Sequence, residues 1–206
     1  MSTRLLPFRQ YDDNDVVNMY ALVDAAINDS VTDVGSGDAG VFVKVASGNF
    51  DLDPVSYATG NSYLGKTDYP FVGFNGYPSV NLKVTPAASG DTTNCLGITL
   101  RQTAKYDENG EKLLYYRQKA EELMCVLPGQ AVPVATRGIF SLGANALDGT
   151  LTVGSGFKLS ANAGKVTGCA HSDAGKLGIV LGTGSRTSQS TTDQFAGNFA
   201  VIGLRM

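Results

Sequence analysis

The segment from Leu127 to Met206 constrains the fold of this chain more than any other part of the sequence. It consists of short runs rich in valine and isoleucine, which alternate with glycine and serine turns. The turns recur about every eight to fourteen residues, a spacing typical of β-sandwiches and β-barrels. We therefore predict an all-β protein, either a β-sandwich or a small β-barrel module, with little helix.

Strand-like patterns also occur upstream of this segment. From Val41 to Ala46 the sequence has a period of two, with valines on one face and the other side chains on the opposite face, and similar runs occupy Val80–Val84 and Leu96–Arg101. Asn109-Gly110 stands between two such runs and is the strongest hairpin signal in the chain. These patterns predict a long β-hairpin over Ala104–Tyr116.

The N-terminal residues are predicted to form an extended arm followed by a short helix or a turn. Three large apolar residues lie between two arginines, ahead of any periodic pattern, and the next apolar residues fit one helical face: Leu5, Leu6 and Phe8, then Val16, Met19, Tyr20 and Val23. One further helical turn is predicted at Arg117–Met124. We accordingly divide the chain into an arm and helix (1–25), a β-rich region with the hairpin (26–128) and a β-barrel module (129–206).

The composition indicates a surface that is partly covered by a partner. Charged residues make up 17% of the chain, whereas about 25% is typical of soluble domains. The net charge is −3 and no Lys/Arg cluster occurs, which removes the attraction that dominates nucleic-acid binding. No apolar run is long enough for a membrane span. We expect neither nucleic acid nor a membrane as partner, and synthesis in the cytoplasm.

No residue pattern indicates chemistry. His171 is the single histidine, and Cys169 would need a base held by a third group to act as a nucleophile. Transition metals need several His or Cys ligands, and the carboxylates of Asp12–Asp15 and Asp51–Asp53 do not fit an EF-hand. Gly182–Ser185 lacks the ending of a phosphate-binding loop and is predicted to be a turn. We predict a non-enzymatic protein without catalytic residues, cofactor or metal.

The segment from Ser62 to Pro78 is rich in aromatic residues set among glycine and proline. One interpretation is an irregular segment that covers an end of the core. The other is a subunit interface, since aromatic side chains are enriched at interface centres. The residues of that interface would be Tyr69, Phe71, Phe74 and Tyr77.

The C-terminal glycine and valine runs follow a recognisable order: Gly129–Phe140, Gly154–Leu159, Gly164–Thr167, Lys176–Gly182 and Val201–Arg205. In this order and spacing the segment resembles the small β-barrel capsid cement proteins of tailed bacteriophages. Taken with the opening Arg4–Tyr11, the chain is similar to head decoration proteins of marine and cyanobacterial phages. About 120 residues precede the matching segment, which the simplest cement proteins lack.

The resemblance implies a structural virion protein on the outer surface of an icosahedral phage capsid, where it stabilises the shell by bridging major capsid protein subunits. It also implies self-association, as a homotrimer or alternatively a dimer. The arm then becomes the capsid contact, and each apolar side chain that is fully buried there would contribute about 1.5 to 3 kcal/mol. The expected contact residues are Arg4, Leu5, Leu6, Phe8 and Arg9.

Two other functions remain open from the sequence. A phage tail or baseplate structural protein would share the β-rich composition with few charges. A carbohydrate-binding or hydrolytic module at the host surface is the other alternative. The chain contains no tryptophan on which a sugar ring could stack, which argues against that module.

Overall fold

The computed structural model describes residues 4–22, 28–46, 55–56, 79–80, 82–190, 193 and 195–205. These residues form sixteen β-strands, one α-helix and three short 3-10 turns, which confirms the predicted all-β class with little helix. The strands and the helix are β1 Leu5–Gln10, β2 Val16–Leu22, β3 Asn28–Ser30, β4 Phe42–Val45, β5 Val55–Ser56, β6 Ser79–Val80, β7 Lys83–Pro86, β8 Cys95–Thr99, β9 Gln102–Tyr106, α1 Arg117–Glu122, β10 Cys125–Val126, β11 Ala131–Ala135, β12 Arg137–Gly143, β13 Gly156–Leu159, β14 Val166–Cys169, β15 Gly178–Arg186 and β16 Gly197–Arg205.

The largest sheet has six antiparallel strands in the order β1-β12-β16-β15-β13-β14. Alternate side chains of its strands point into the core, as the period-two pattern requires. Phe140 and Leu142 of β12, Ile202 and Leu204 of β16, and Phe157 of β13 are all fully buried there. The glycine and valine runs noted from residue 129 onward therefore supply five of the six strands of this sheet, whereas β11, at the start of the first run, belongs to the barrel.

The second unit is a closed five-stranded barrel in the order β11-β2-β7-β4-β8. Its interior is filled by valine and leucine, including Leu22, Val84 and Val132. Strand β4 is buried on both faces, because Val43 packs inside the barrel while Phe42 belongs to the core of the six-stranded sheet. The rings of Phe42 and Phe157 meet edge to face, with centroids 6.2 Å apart, so the outer face of β4 packs directly on the core of the six-stranded sheet.

A small parallel sheet, β10-β9-β3, completes the described architecture apart from the β5-β6 pair. Helix α1 connects β9 to β10, as parallel neighbours need a crossover. It buries Ala120 against Leu113, Ala104 and Cys125. The predicted helical turn at Arg117–Met124 is confirmed.

The short helix predicted near the N-terminus is wrong. Residues Val16–Leu22 form strand β2, which pairs with β11 on one side and β7 on the other. The helical spacing of the apolar residues is a property of the local sequence. Pairing with two distant strands outweighs this local preference for a helix. The β-branched Val16 and Val17 also favour a strand.

The predicted long hairpin is also wrong, although its turn is correct. Gly110 adopts φ +82°, and the Asp107 carboxylate accepts hydrogen bonds from the backbone N–H groups of Asn109 (2.8 Å) and Glu111 (2.7 Å). Beyond this turn the described pairing is the single bridge between Tyr106 and Lys112. The chain then turns toward α1, because the side chain of Leu113 is buried beneath that helix.

The predicted arm is part of the fold. Residues Leu5–Gln10 form β1, which pairs with β12, and the side chain of Leu5 is buried in the core. The barrel contains strands from all three predicted regions: β2 from the region 1–25, three strands from the region 26–128, and β11 from the region 129–206. The boundaries of the sheets therefore differ from the predicted boundaries between regions.

Gly182–Ser185 also differs from its prediction as a turn. These residues continue β15 and pair with β16 after a bulge between Val180 and Gly182. The ring of Phe199 lies directly over Gly184, where a Cβ would be 2.5 Å from the ring. Glycine here makes room for an aromatic neighbour on the adjacent strand.

Candidate interaction site beside strand β1

An open groove runs beside β1, and several residues of the predicted contact arm line it. One cleft of about 630 Å³ lies against the start of β1 and is lined there by Arg4, Leu5 and Leu6. A second cleft of about 770 Å³ is lined by residues from β2, α1 and β11. Arg9, Leu100 and Met124 line both clefts. We call the two clefts together the β1 groove.

Arg9 bridges the β1 groove at its middle. Its Nη1 atom donates a hydrogen bond to the backbone oxygen of Leu100 at 3.4 Å, and its Nη2 atom lies 3.9 Å from the sulfur of Met124. The guanidinium thus links β1 to the segments that enter β9 and leave α1. Both contacts are long for hydrogen bonds, so a partner entering the groove could displace this side chain at low cost.

Arg4 and Leu5 are held in the fold and are not available as an exposed contact. Arg4 is 8% exposed, and its Nε atom donates to the Asp38 carboxylate at 3.1 Å. The same carboxylate accepts hydrogen bonds from the side chain of Asn28 and the backbone N–H of Gly35. Burial nevertheless raises the pKa of Asp38 above its ordinary value. Two of the five predicted contact residues are therefore structural.

Phe8, in contrast, is 65% exposed. Leu5 pairs with Leu142 and Arg9 with Phe140, so three residues of β1 stand opposite one residue of β12. This bulge carries Phe8 outward. Its neighbour Pro7 lines the groove and has no N–H to donate, as suits an edge strand.

Met124 has an unusual backbone for a non-glycine residue. It follows the C-cap of α1 with φ +50°, and no other non-glycine residue in the described part of the chain has a positive φ. Glycine is the usual residue at this place after a helix, and a left-handed residue with a Cβ costs about 1 to 2 kcal/mol. Its side chain is 46% exposed and lines the groove.

Replacing Met124 by glycine is expected to stabilise the isolated protein by about 1 kcal/mol, because glycine adopts this backbone without strain. The midpoint of urea unfolding measures the change. Met124→Ala serves as the matched control, since it removes the same groove-lining atoms but keeps the Cβ. Equal midpoints for the two variants would contradict the strain at this position.

The residues considered for chemistry lie apart from this groove. His171 is exposed in the turn after β14 and Cys169 is half-buried at the end of that strand. Hydrogen bonds of the described residues include none between them, and burial raises the pKa of the Cys169 thiol, which disfavours the nucleophilic thiolate.

The predicted acidic sites are accounted for only in part. Asp12 caps a 3-10 turn by accepting a hydrogen bond from the backbone N–H of Asn14 at 2.8 Å. Asp51 and Asp53 lie outside the described residues.

Within the described ranges, no three His, Cys, Asp or Glu side chains are grouped so as to hold a metal ion. No helix in the described ranges is long and apolar enough to cross a membrane.

The predicted aromatic interface also lies outside the described residues. This applies to Tyr69, Phe71, Phe74 and Tyr77.

The opposite wall of the β1 groove was not predicted from the sequence. Met124 and Leu100 are at least ninety residues from β1 along the chain, and the one available signal was a methionine where a helix usually ends in glycine.

The comparisons with known proteins give no relative. No family model matches the chain, and neither the curated proteins nor the solved structures contain a match.

Proposed function

We propose that this chain is a non-enzymatic structural protein of a phage virion. In this proposal it binds the outer surface of the capsid and stabilises the shell by bridging neighbouring copies of the major capsid protein. It associates with itself, as a trimer in preference to a dimer. The observation that carries the proposal is the exposed Phe8 on a bulged edge strand beside the open β1 groove.

The physical support is the cost of leaving this surface in water. Phe8 and Met124 expose large apolar side chains, and burying the exposed part of each on a partner would contribute a corresponding fraction of the about 1.5 to 3 kcal/mol that full burial provides. An edge strand also offers unpaired backbone groups to an extended segment of a partner. Many copies on a repeating shell would multiply a modest contact at each site.

The proposal revises the predicted contact set. Phe8 and Arg9 remain contact residues from β1, and Leu6 remains as a half-buried side chain that lines the groove. Arg4 and Leu5 instead hold β1 in place through the Asp38 pair and the core. Met124 joins the contact from the opposite wall.

The test is binding of the purified protein to phage heads assembled without it. Phe8→Ser is expected to weaken binding at least about tenfold, the equivalent of 1.4 kcal/mol, with little change in the unfolding temperature. Val153→Ser is the matched control, because Val153 is also an exposed apolar residue, 55% accessible, in a turn remote in sequence from β1. Cosedimentation with heads measures both.

Heads should also resist heat better with the protein than without it, since a ligand of the assembled shell stabilises it by mass action. Binding to isolated tails and not to heads would favour the tail alternative. Saturable binding or turnover on a glycan panel would favour the host-surface alternative. A strictly monomeric protein at micromolar concentration would overturn the self-association.

A further inference from the structure

The outer face of the six-stranded sheet contains a further cleft, separate from the β1 groove. On this face Gly203 of β16 lies between Ile139 of β12 and Ile179 of β15, which are its partners in register. Because glycine has no side chain, a cleft of about 490 Å³ opens above its backbone. Leu181, which is 48% exposed, forms one wall.

Two arginines stand at one end of this cleft. Arg137 of β12 and Arg205 of β16 are direct partners in register, and both are exposed and line the cleft. Residues directly opposite on paired strands have Cβ atoms about 4.5 to 5.5 Å apart, and like charges in that arrangement repel each other. Within the part of the chain that the structure describes, neither guanidinium has an ion pair or a side-chain hydrogen bond.

We infer that this arginine-flanked cleft binds a segment of a partner protein that carries an acidic side chain next to an apolar one. A carboxylate between the two guanidiniums would receive charge-assisted hydrogen bonds and relieve their repulsion. The adjoining apolar side chain would fill the space above Gly203, between Ile139 and Ile179. Charge and shape thus select the same occupant.

The chemistry of the cleft disfavours a nucleic acid. Its floor is aliphatic, and the protein as a whole has a net charge of −3, which opposes a polyanion. An acidic side chain needs only the two local arginines, and the apolar floor requires an apolar neighbour. This inference is independent of capsid binding through the β1 groove.

The probe is an acetylated pentapeptide of alternating leucine and aspartate, titrated into the isotope-labelled full chain and followed by the backbone amide signals. Saturable shifts are expected at Gly138 and Gly203, and not at Met124 in the β1 groove. The matched peptide with asparagine in place of aspartate should bind at least about fivefold more weakly, as loss of a partly exposed ion pair predicts.

The protein variants give the second arm of the test. Arg137→Gln and Arg205→Gln should each weaken binding of the aspartate peptide about threefold, and the double variant more strongly. Lys83→Gln, which removes one exposed positive charge in the barrel, should leave it unchanged. Each arginine variant should keep or slightly raise the unfolding temperature, because one member of a repelling pair is lost.

Several results would overturn the inference. These are equal binding of the aspartate and asparagine peptides, unchanged binding by the double variant, or shifts that map to another surface. Sodium acetate binding as tightly as the peptide would show a simple anion site and overturn the apolar part. None of these outcomes affects binding of Phe8 to heads, so the two proposals fail separately.

Discussion

Removal of residues Met1 to Gln10 is expected to destabilise the whole protein severely. The truncation deletes β1, and with it the buried side chain of Leu5 and the ion pair between Arg4 and Asp38. Loss of Leu5 burial costs about 2 kcal/mol. A buried carboxylate left without its partner costs about 3 to 5 kcal/mol more.

This total of about 5 to 7 kcal/mol is comparable with the entire stability of an ordinary domain, about 5 to 15 kcal/mol. For a chain of this size it corresponds to a fall of about 10 to 28 °C in unfolding temperature. Differential scanning calorimetry of the truncated and full-length chains measures it. Arg4→Ala should reproduce most of the loss, whereas Phe8→Ser, in the same strand, should not.

An unfolding temperature within a few degrees of the full-length value would contradict this expectation. It would mean that β1 is an accessory arm after all. The sequence alone predicts that behaviour, because the residues of β1 show no periodic pattern and β12 lies more than 125 residues away.

Gly178→Ala should be among the most damaging single substitutions in the protein. Gly178 lies where β15 pairs with both β13 and β16. A Cβ there would be 2.0 Å from the backbone oxygen of Gly203 and 2.8 Å from the ring of Phe157. The oxygen belongs to a strand held on both sides, so it cannot move without breaking the sheet. We expect a loss of about 3 kcal/mol or more in the free energy of unfolding.

Gly182→Ala in the same strand is the matched control. A Cβ at Gly182 would meet only the side chain of Val201, at 3.9 Å, which is ordinary contact. Its stability should stay within about 0.5 kcal/mol of the parent chain. Urea unfolding compares the three proteins, and similar midpoints for both variants would show that the packing at Gly178 is not as tight as described.

The strands from residue 129 onward could be predicted well because their signal is local. Each of the short β-branched runs between glycines coincides with part of a strand among β11 to β16, although β15 continues through Gly182–Ser185 and β16 begins four residues before Val201. The order of those strands in the sheet could not be predicted. Neither could the insertion of β1 at its edge, since pairing between distant segments leaves no periodic trace in one sequence.

The errors upstream have the same origin. The apolar residues of Val16–Leu22 have the spacing of one helical face, yet the backbone of this segment pairs with two distant strands, β11 and β7. At Asn109-Gly110 the turn chemistry was sufficient to predict the turn. Beyond that turn, the path of the chain is set by burial of Leu113 beneath α1, which depends on the assembled structure.

The candidate site was predictable only in part, for a related reason. Phe8 and Arg9 could be singled out because large apolar and cationic residues occur together before the first strand pattern. Nothing in the sequence joins them to Leu100 and Met124 across the groove. The cleft above Gly203 arises from three strands in register, which is again a property of the assembled sheet.

The position of β12 between β1 and β16 sets a limit on how this protein can be synthesised. β1 precedes β12, its partner in the described sheet, by more than 125 residues, and the other edge of β12 is completed by β16, residues 197–205. During synthesis β1 therefore stays unpaired, with its apolar side chains uncovered, until the chain has been translated through β12. Strand pairs between segments so far apart in the sequence form slowly. We expect the nascent chain to recruit chaperones that hold exposed strands, more than a protein built from sequential hairpins would.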